Sequence, residues 1–209
     1  MVLSMLFVVA LALACDEAMF RVLTAPPGGD VVTGSTTESG ATWFGARFTK
    51  DSVHSFPAWK TVLASAETQD EWVPKRFGYE ESVRIDPSYM YLRFDLAFMM
   101  NAIHVRRQLV ALVRAKDTPQ SYLTCWRMVD PTPWKEKVVK WATDATWQNA
   151  SAGWWEAVPL PSGGTRVGYQ YWTQEGSIPT TILKIGLANT LPDLLDAFDA
   201  QAGVIEGKR

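Results

Sequence analysis

The chain has 209 residues, of which 47% are hydrophobic and 20% are charged, and its formal net charge is −2. This composition is ordinary for a globular protein, and the length suits one domain with a substantial core. The slight negative charge argues against nucleic-acid binding, which needs a basic surface. The ten tryptophans combine large apolar area with an N–H donor, which fits a core, a ligand cavity or a membrane-facing rim.

The first fourteen residues are almost wholly apolar and carry no charged side chain. A span of this length is too short to cross a bilayer, which needs about 20 apolar residues. It has the length of the apolar region of a signal peptide, and Ala12-Leu13-Ala14 supplies the small residues of a cleavage site. We therefore expect residues 1–14 to be a signal peptide and the protein to be exported. The alternative is a buried amino-terminal strand or helix.

Cys15 follows directly after the expected cleavage site. Small residues followed by cysteine are typical of a bacterial lipoprotein signal, although Ala12 stands where such signals usually carry leucine. The sequence thus predicts lipidation of Cys15 and a periplasmic, membrane-anchored protein, or otherwise a secreted one. Cys125 is then a buried thiol within a strand. A Cys15–Cys125 disulfide is the alternative in an oxidising compartment.

The next part of the chain is predicted to contain short elements. Residues 15–40 are expected to be a lead-in that is flexible over 30–40, because a polar run follows the Pro-Pro-Gly-Gly turn at 26–29. The first strand is predicted over Ala41–Thr49. Helical spacing of apolar residues predicts a helix over Val53–Ala66 and a second, short one over Thr68–Val73.

Strand patterns dominate the middle of the chain. Aromatic and branched residues between turn signals predict strands over residues 78–85, 88–94, 105–115 and 121–129. Both faces of the last of these are mostly apolar, which indicates a central strand. Helical spacing predicts a further helix over Trp134–Trp147, lying against the sheet or acting as a lid.

Two more strands and a long helix complete the chain. The strands are predicted over Gly153–Leu160 and Arg166–Trp172, joined by a glycine-containing turn. Ser177 fits the position that caps the helix. Apolar residues at three- and four-residue steps extend the helix to about residue 201, and Pro192 is expected to kink or restart it.

Leu160-Pro-Ser-Gly-Gly-Thr-Arg-Val-Gly-Tyr169, followed by Gly176-Ser-Ile-Pro179 and the apolar helix, resembles the carboxyl-terminal third of a START lipid-transfer domain. START domains belong to the helix-grip superfamily, which includes plant pollen-allergen proteins and polyketide cyclases. The resemblance implies an α+β fold, in which a curved antiparallel sheet of six or seven strands wraps round the last helix. The START-like domain would span residues 41–203, with a tail over 204–209.

The resemblance also implies a cavity between the sheet and the last helix, where a hydrophobic molecule binds without covalent chemistry. The expected partner is a lipid or another hydrophobic small molecule, with membrane contact, no nucleic acid and a monomeric protein. Hydroxyl groups of tyrosines in the wall would orient an amphipathic ligand. The candidate ligand-binding residues are Trp126, Trp155, Val167, Tyr169, Tyr171, Ile178, Ile182 and Ile185.

The sequence contains no catalytic or metal-binding pattern that holds. His54 and His104 lack metal-ligand spacing with either cysteine, and Glu80 and Glu81 are strand neighbours that point to opposite faces. We therefore expect no metal, no cofactor and no catalytic residue.

Two alternatives to a carrier stay open. One is an enzyme of the cyclase or aromatase type, which would use tyrosine, arginine or acidic residues of the cavity. The other is an interaction module whose cavity is filled by its own large side chains, such as Trp126 and Trp155.

Overall fold

The computed structural model describes residues 23–38, 40–98, 103–134, 136–138, 146–147, 150–174 and 180–207. A nine-stranded sheet forms its centre. The strands are β1 (Val32–Glu38), β2 (Ala41–Ser52), β3 (Tyr79–Asp86), β4 (Tyr89–Phe98), β5 (Ile103–Thr118), β6 (Ser121–Met128), β7 (Thr146–Trp147), β8 (Ser151–Pro159) and β9 (Thr165–Thr173).

Eight strands follow one another in the order β1-β2-β9-β8-β6-β5-β4-β3, and β7 pairs with β5. All pairs are antiparallel except β5–β7. The described α-helices are α1 (Phe56–Ala64), α2 (Gln69–Trp72) and α3 (Thr180–Gly207). The predicted α+β fold is confirmed, with more strands than the six or seven expected.

Helices α1 and α3 cover one face of the sheet, which we call the inner face. Phe48 of β2 and Trp155 of β8 belong to the same apolar cluster as Phe198 of α3 and Trp59 of α1. Trp59 and Phe198 are fully buried. Burial of a side chain of this size contributes about 1.5–3 kcal/mol to stability, so this cluster is the main core of the domain.

The opposite face, which we call the outer face, is covered as well. Leu23 packs there against Trp43 of β2 and Trp172 of β9. Farther along the sheet, Val138 packs against Tyr91 of β4 and, like it, is buried. Side chains alternate between the two faces along a strand. A strand that is covered on both faces therefore needs apolar residues at successive positions, and β6 has such a sequence.

Glycines allow the outer layer to approach the sheet closely. A Cβ atom at Gly45 would lie 2.5 Å from the ring of Trp172, and one at Gly34 would lie 2.7 Å from the side chain of Leu23. Real Cβ atoms are not found at such distances from their neighbours. The absence of a side chain at these two positions therefore makes room for the outer layer.

The predicted flexible lead-in over residues 30–40 is wrong. Val32–Glu38 form strand β1, which pairs with β2 along its whole length. Ser35 and Thr37 are exposed, as expected for an edge strand. A strand that buries few of its side chains has a polar sequence, which is why it resembled a loop. The predicted signal peptide and Cys15 lie outside the described residues.

The predicted helix over Trp134–Trp147 is wrong at both ends. Thr132–Trp134 form a 3₁₀ turn, and Thr146–Trp147 form β7. The ring of Trp134 lies 4.2 Å from that of Tyr89, and the ammonium group of Lys137 lies 4.7 Å from the Trp134 ring centre. These contacts hold Trp134 on the outer face, and they override the helical spacing of its neighbours.

Helix α3 continues through Pro192 without the predicted restart. Proline at this position removes one hydrogen bond, the one to the carbonyl of Ala188. Leu191, Leu194 and Leu195 are buried directly beside it. The apolar contacts of these leucines offset the lost bond and keep the helix whole.

The second half of α3 is held to the end of β2 by charged side chains. The Lys50 Nζ atom lies 2.7 Å from Asp196 Oδ1 and 3.1 Å from Asp199 Oδ2. The hydroxyl of Ser52 donates a hydrogen bond to Asp199. Burial opposes the charge on Lys50, but the two carboxylates outweigh it and raise the pKa of this lysine.

Glu206 holds the last turn of α3 to the start of α1. Its carboxylate accepts a hydrogen bond from the backbone N–H of Ser55 at 2.9 Å and lies 2.8 Å from Nδ1 of His54. Ser55 is the residue that caps α1. The hydrogen bonds with Ser55 and His54 lower the pKa of Glu206 from 4.5 to about 2.

We predict that Gly45→Ala destabilises the domain by about 1–3 kcal/mol, because the buried Trp172 ring cannot make room for the methyl group. Urea unfolding measures the change. Gly186→Ala is the matched control: nothing lies within 4 Å of its Cβ position on α3, so we expect unchanged or slightly higher stability. Equal effects of the two variants would contradict this account.

We predict that Glu206 makes part of the stability depend on pH. Its pKa is lowered by folding, so its contribution is present above pH 4.5 and is lost as the pH falls from 4.5 towards 2. The melting temperature of Glu206→Gln should therefore change less over this range than that of the native protein. Glu71→Gln, at an exposed position, should keep the native pH dependence. Indistinguishable pH profiles for the native protein and Glu206→Gln would refute the assignment.

Candidate ligand-binding site

Side chains from four neighbouring strands meet in transverse rows on the inner face, because antiparallel partners point to the same side. Each row draws one residue from β2, β9, β8 and β6. The first row contains Phe48, Tyr169, Trp155 and Thr124, and the second contains Ala46, Tyr171, Gly153 and Trp126.

The first row lies under the second half of α3 and is filled by aromatic rings. The ring of Trp155 is stacked on Tyr169 at 4.1 Å and on Phe198 of α3 at 4.4 Å. Trp72 meets Phe198 edge-on at 4.8 Å. These rings leave Trp155 only 7% exposed, so this end of the inner face is a packed core.

The second row carries a more open pair of rings. The ring centres of Trp126 and Tyr171 lie 5.9 Å apart. Gly153 lies between them in the row, and a Cβ atom there would lie 3.0 Å from the indole nitrogen of Trp126. The row thus presents two large rings and polar atoms of tryptophan and tyrosine.

Tyrosine hydroxyls add neutral hydrogen-bonding groups to the inner face near these two rows. Tyr79 of β3 packs at the edge of the same cluster, with its ring 4.8 Å from Phe94. Burial raises the pKa of Tyr79. Burial also raises the pKa of Tyr169, and the neighbouring Tyr79 and Tyr171 add to the shift. Both phenols are therefore uncharged near neutral pH and can donate as well as accept a hydrogen bond.

The two halves of α3 differ in how they meet the sheet. The second half buries Leu191, Leu194, Leu195, Phe198 and Ala202. Between Thr181 and Thr190, none of the described side chains is buried. The first half of the helix is therefore less deeply packed than the second, and Leu187 is its contact with the main core.

Ile182 and Ile185 do not take the place that the sequence suggested. Their side chains are 39% and 60% exposed. A helix turns by about 100° per residue, so both lie on the side of α3 opposite to the line formed by Leu187, Leu191 and Phe198. The sequence analysis placed both isoleucines on the cavity wall. The structure instead puts them on the outward side of the helix.

The structure brings the strand candidates together on the inner face. These candidates are Trp126, Trp155, Val167, Tyr169 and Tyr171. Ile178 lies outside the described residues. Whether the strand residues contact a ligand stays a prediction.

Sequence reasoning missed Leu187, which is partly buried against the main core, and Tyr79. Counting back from Phe198 in steps of three and four residues would have reached Leu187. No local signal marks Tyr79, because its position depends on the pairing of β3 with β4.

The described residues contain no cluster of three or more His, Cys, Asp or Glu side chains that would hold a metal ion. Among the helices that the structure describes, none is long and apolar enough to cross a membrane. The chemistry of the two rows is that of apolar surface, hydroxyl groups and an indole N–H.

Comparison with known proteins identifies the architecture. No protein-family model matches the sequence, and no curated protein matches it. Solved structures do match, at low sequence identity. Human STARD10 has a TM-score of 0.62 at 12% identity, and the match covers 92% of this chain and 77% of that one.

Two further structures agree with this result. The STAR-related lipid transfer protein of Xanthomonas axonopodis has a TM-score of 0.59 at 17% identity, over 83% of this chain and 93% of that one. Human StAR-related lipid transfer protein 5 has a TM-score of 0.56 at 12% identity, over 94% and 90%. The chain therefore has the START, or helix-grip, fold.

Proposed function

We propose that the protein binds a lipid or another hydrophobic small molecule between the sheet and the first half of α3, and carries it without covalent change. One observation carries the proposal: α3 is fastened along its second half, whereas none of the described side chains between Thr181 and Thr190 is buried. A helix that is fixed at one end above a row of aromatic side chains can cover a ligand bound beneath its other end. Two of the similar structures are named as lipid transfer proteins, which supports this function.

The filled and open parts of the inner face have different roles in this proposal. The stack of Trp155, Tyr169 and Phe198 forms the floor. Trp126 and Tyr171 form the wall that meets the guest, and Leu187 faces it from the helix. In a module whose cavity is filled throughout, no such division would be expected.

The wall favours a guest with a long apolar part and a polar end that accepts hydrogen bonds. Each buried methylene contributes about 0.8 kcal/mol, so ten of them would supply about 8 kcal/mol, which corresponds to micromolar binding. The hydroxyls of Tyr79 and Tyr169 offer hydrogen bonds to the polar end. Arg107 of β5 is paired with Phe94 and shares its face of the sheet, which adds a positive charge.

Mass spectrometry under native conditions tests the proposal. The protein is exposed to a lipid extract, repurified and analysed intact. A carrier retains an acyl or sterol mass, and this mass is identical before and after incubation. A guest whose mass changes on incubation would favour the cyclase-type enzyme, and the absence of any retained guest would count against both.

We also propose that the protein acts outside the cytoplasm. Residues 1–14 have the length, apolar character and small residues expected of a signal peptide. Lipidation of Cys15 stays a prediction, and the Cys15–Cys125 disulfide stays its alternative.

We predict that Leu187→Trp blocks the site, because the larger side chain occupies the space beneath the first half of α3. The affinity for a fluorescent fatty acid, measured by titration, should fall at least tenfold. Val204→Trp is the matched control, since it adds the same side chain to an exposed position at the other end of the helix. Its affinity for the fatty acid should equal that of the native protein. An equal loss of affinity in both variants would show that the site does not lie at this position.

We predict that Ile182 and Ile185 serve transfer rather than binding. They are exposed on the outward side of α3, where they can touch an apolar membrane surface. The double variant Ile182→Ser/Ile185→Ser should lower the transfer rate between phosphatidylcholine vesicles at least threefold with unchanged fatty-acid affinity. Val53→Ser/Val204→Ser changes two exposed valines elsewhere and should transfer normally. Normal transfer by the isoleucine variant would disprove this role.

A further inference from the structure

A third row of side chains follows the second on the inner face, on the side away from the packed core. It contains Phe44 of β2, Thr173 of β9 and Ser151 of β8. Each of them lies two residues along its strand from a member of the second row, so all three point to the inner face. Two of the three carry a hydroxyl group, whereas the first row is aromatic except for Thr124.

Ser151 has a hydroxyl group without a partner in the interior of the protein. The residue is only 2% exposed, and its Oγ atom has no hydrogen-bond partner. Thr173, which lies opposite, is also buried, but its hydroxyl donates a hydrogen bond to the carbonyl of Ala150 at 3.2 Å. Buried polar atoms are nearly always hydrogen-bonded, because they have lost their bonds to water. The Ser151 hydroxyl therefore needs a partner that none of the described residues supplies.

Ser151 lies beside the rings that form the wall of the proposed site. It is two residues from Gly153 on β8, which is about 7 Å along the strand. Tyr171 of β9 is its diagonal neighbour, and aromatic side chains reach across that distance. Trp126 is paired with Gly153, so its ring stands next to the same position. The partner that Ser151 needs and the proposed guest therefore fall in the same place.

The composition of the three rows favours a neutral group beside Ser151. None of the side chains that form these rows is charged. A carboxylate or phosphate buried there would have no opposite charge in the rows, which is unfavourable. A serine hydroxyl both donates and accepts, so an alcohol group satisfies it in either direction. Tyr169 stands two rows from Ser151, so a guest that meets both has a polar end longer than one carboxyl group.

We propose that Ser151 contacts the ligand and hydrogen-bonds with a hydroxyl group of a neutral lipid of the monoacylglycerol type. In such a lipid an ester carbonyl and a glycerol group follow one another. The carbonyl can accept from a tyrosine, and a glycerol hydroxyl can pair with Ser151. This inference rests on the proposed function, since it needs a guest in that site. It goes further by naming the polar end of the guest and the residue that recognises it.

Displacement of a bound fluorescent fatty acid by three lauroyl lipids tests the inference. 1-Monolauroylglycerol and propyl laurate share the acyl chain and the ester, and only the first has hydroxyl groups. Lauric acid has a carboxylate instead of the ester. Ser151→Ala should lower the affinity for monolauroylglycerol about fivefold to tenfold, because one hydrogen bond is lost. Its affinities for propyl laurate and lauric acid should equal those of the native protein.

Ser162→Ala is the matched control, because it makes the same substitution at an exposed position in the turn of the same hairpin. It should keep the native affinity for all three lipids. The melting temperature of ligand-free Ser151→Ala should be unchanged or higher, because the variant removes a buried hydroxyl that has no partner. A lower melting temperature would show that the fold itself uses this hydroxyl, for example through a bound water, and would overturn the inference.

The lipid series separates this inference from the proposed function. Equal losses for monolauroylglycerol and propyl laurate, or no loss for any lipid, would overturn the role of Ser151 and leave the carrier function standing. No displacement by any of the three lipids from the native protein would overturn both. Should Ser151→Ala fail to fold, the native protein decides. It should bind monolauroylglycerol at least as tightly as propyl laurate, and weaker binding would overturn the inference.

Discussion

The attachment of α3 along only its second half is the constraint on which the rest of the structure depends. Lys50 and Glu206 hold that half through charged and hydrogen-bonded contacts, and the stack of Trp155 and Phe198 holds it through buried rings. The first half makes no comparable contact among the described residues. The same helix thus closes the core at one end and packs less deeply at the other, which is the arrangement on which the proposed carrier function rests.

The sheet supports this helix because it is covered on both faces. The inner face provides the core and the proposed site, whereas the outer face carries Leu23, Trp134 and Val138. Covering the outer face stiffens the strands that form the wall, since each strand is then packed from both sides.

The fold and the grouping of the strand residues on the inner face were predictable from sequence, because hairpin turns and alternation are local. The turn at 161–165 places Trp155 opposite Tyr169. The direction of Ile182 and Ile185 was not predictable in the same way. Their three-residue spacing is helical, but only the partners of Leu191 and Phe198 on the sheet decide which side faces inward. Strand β1 was missed because pairing with β2, and not its own composition, makes it a strand.

The ion pair between Arg47 and Glu156 has a consequence for how the sheet assembles. Arg47 is on β2 and Glu156 on β8, and the two meet above Gly168 of the strand between them, where a Cβ atom would lie 2.8 Å from the Glu156 carboxylate. A slip of this middle strand by one residue would replace the glycine with a larger neighbour and leave two charges without water or a partner. The pair is therefore compatible with a single register of these three strands and disfavours the misaligned ones.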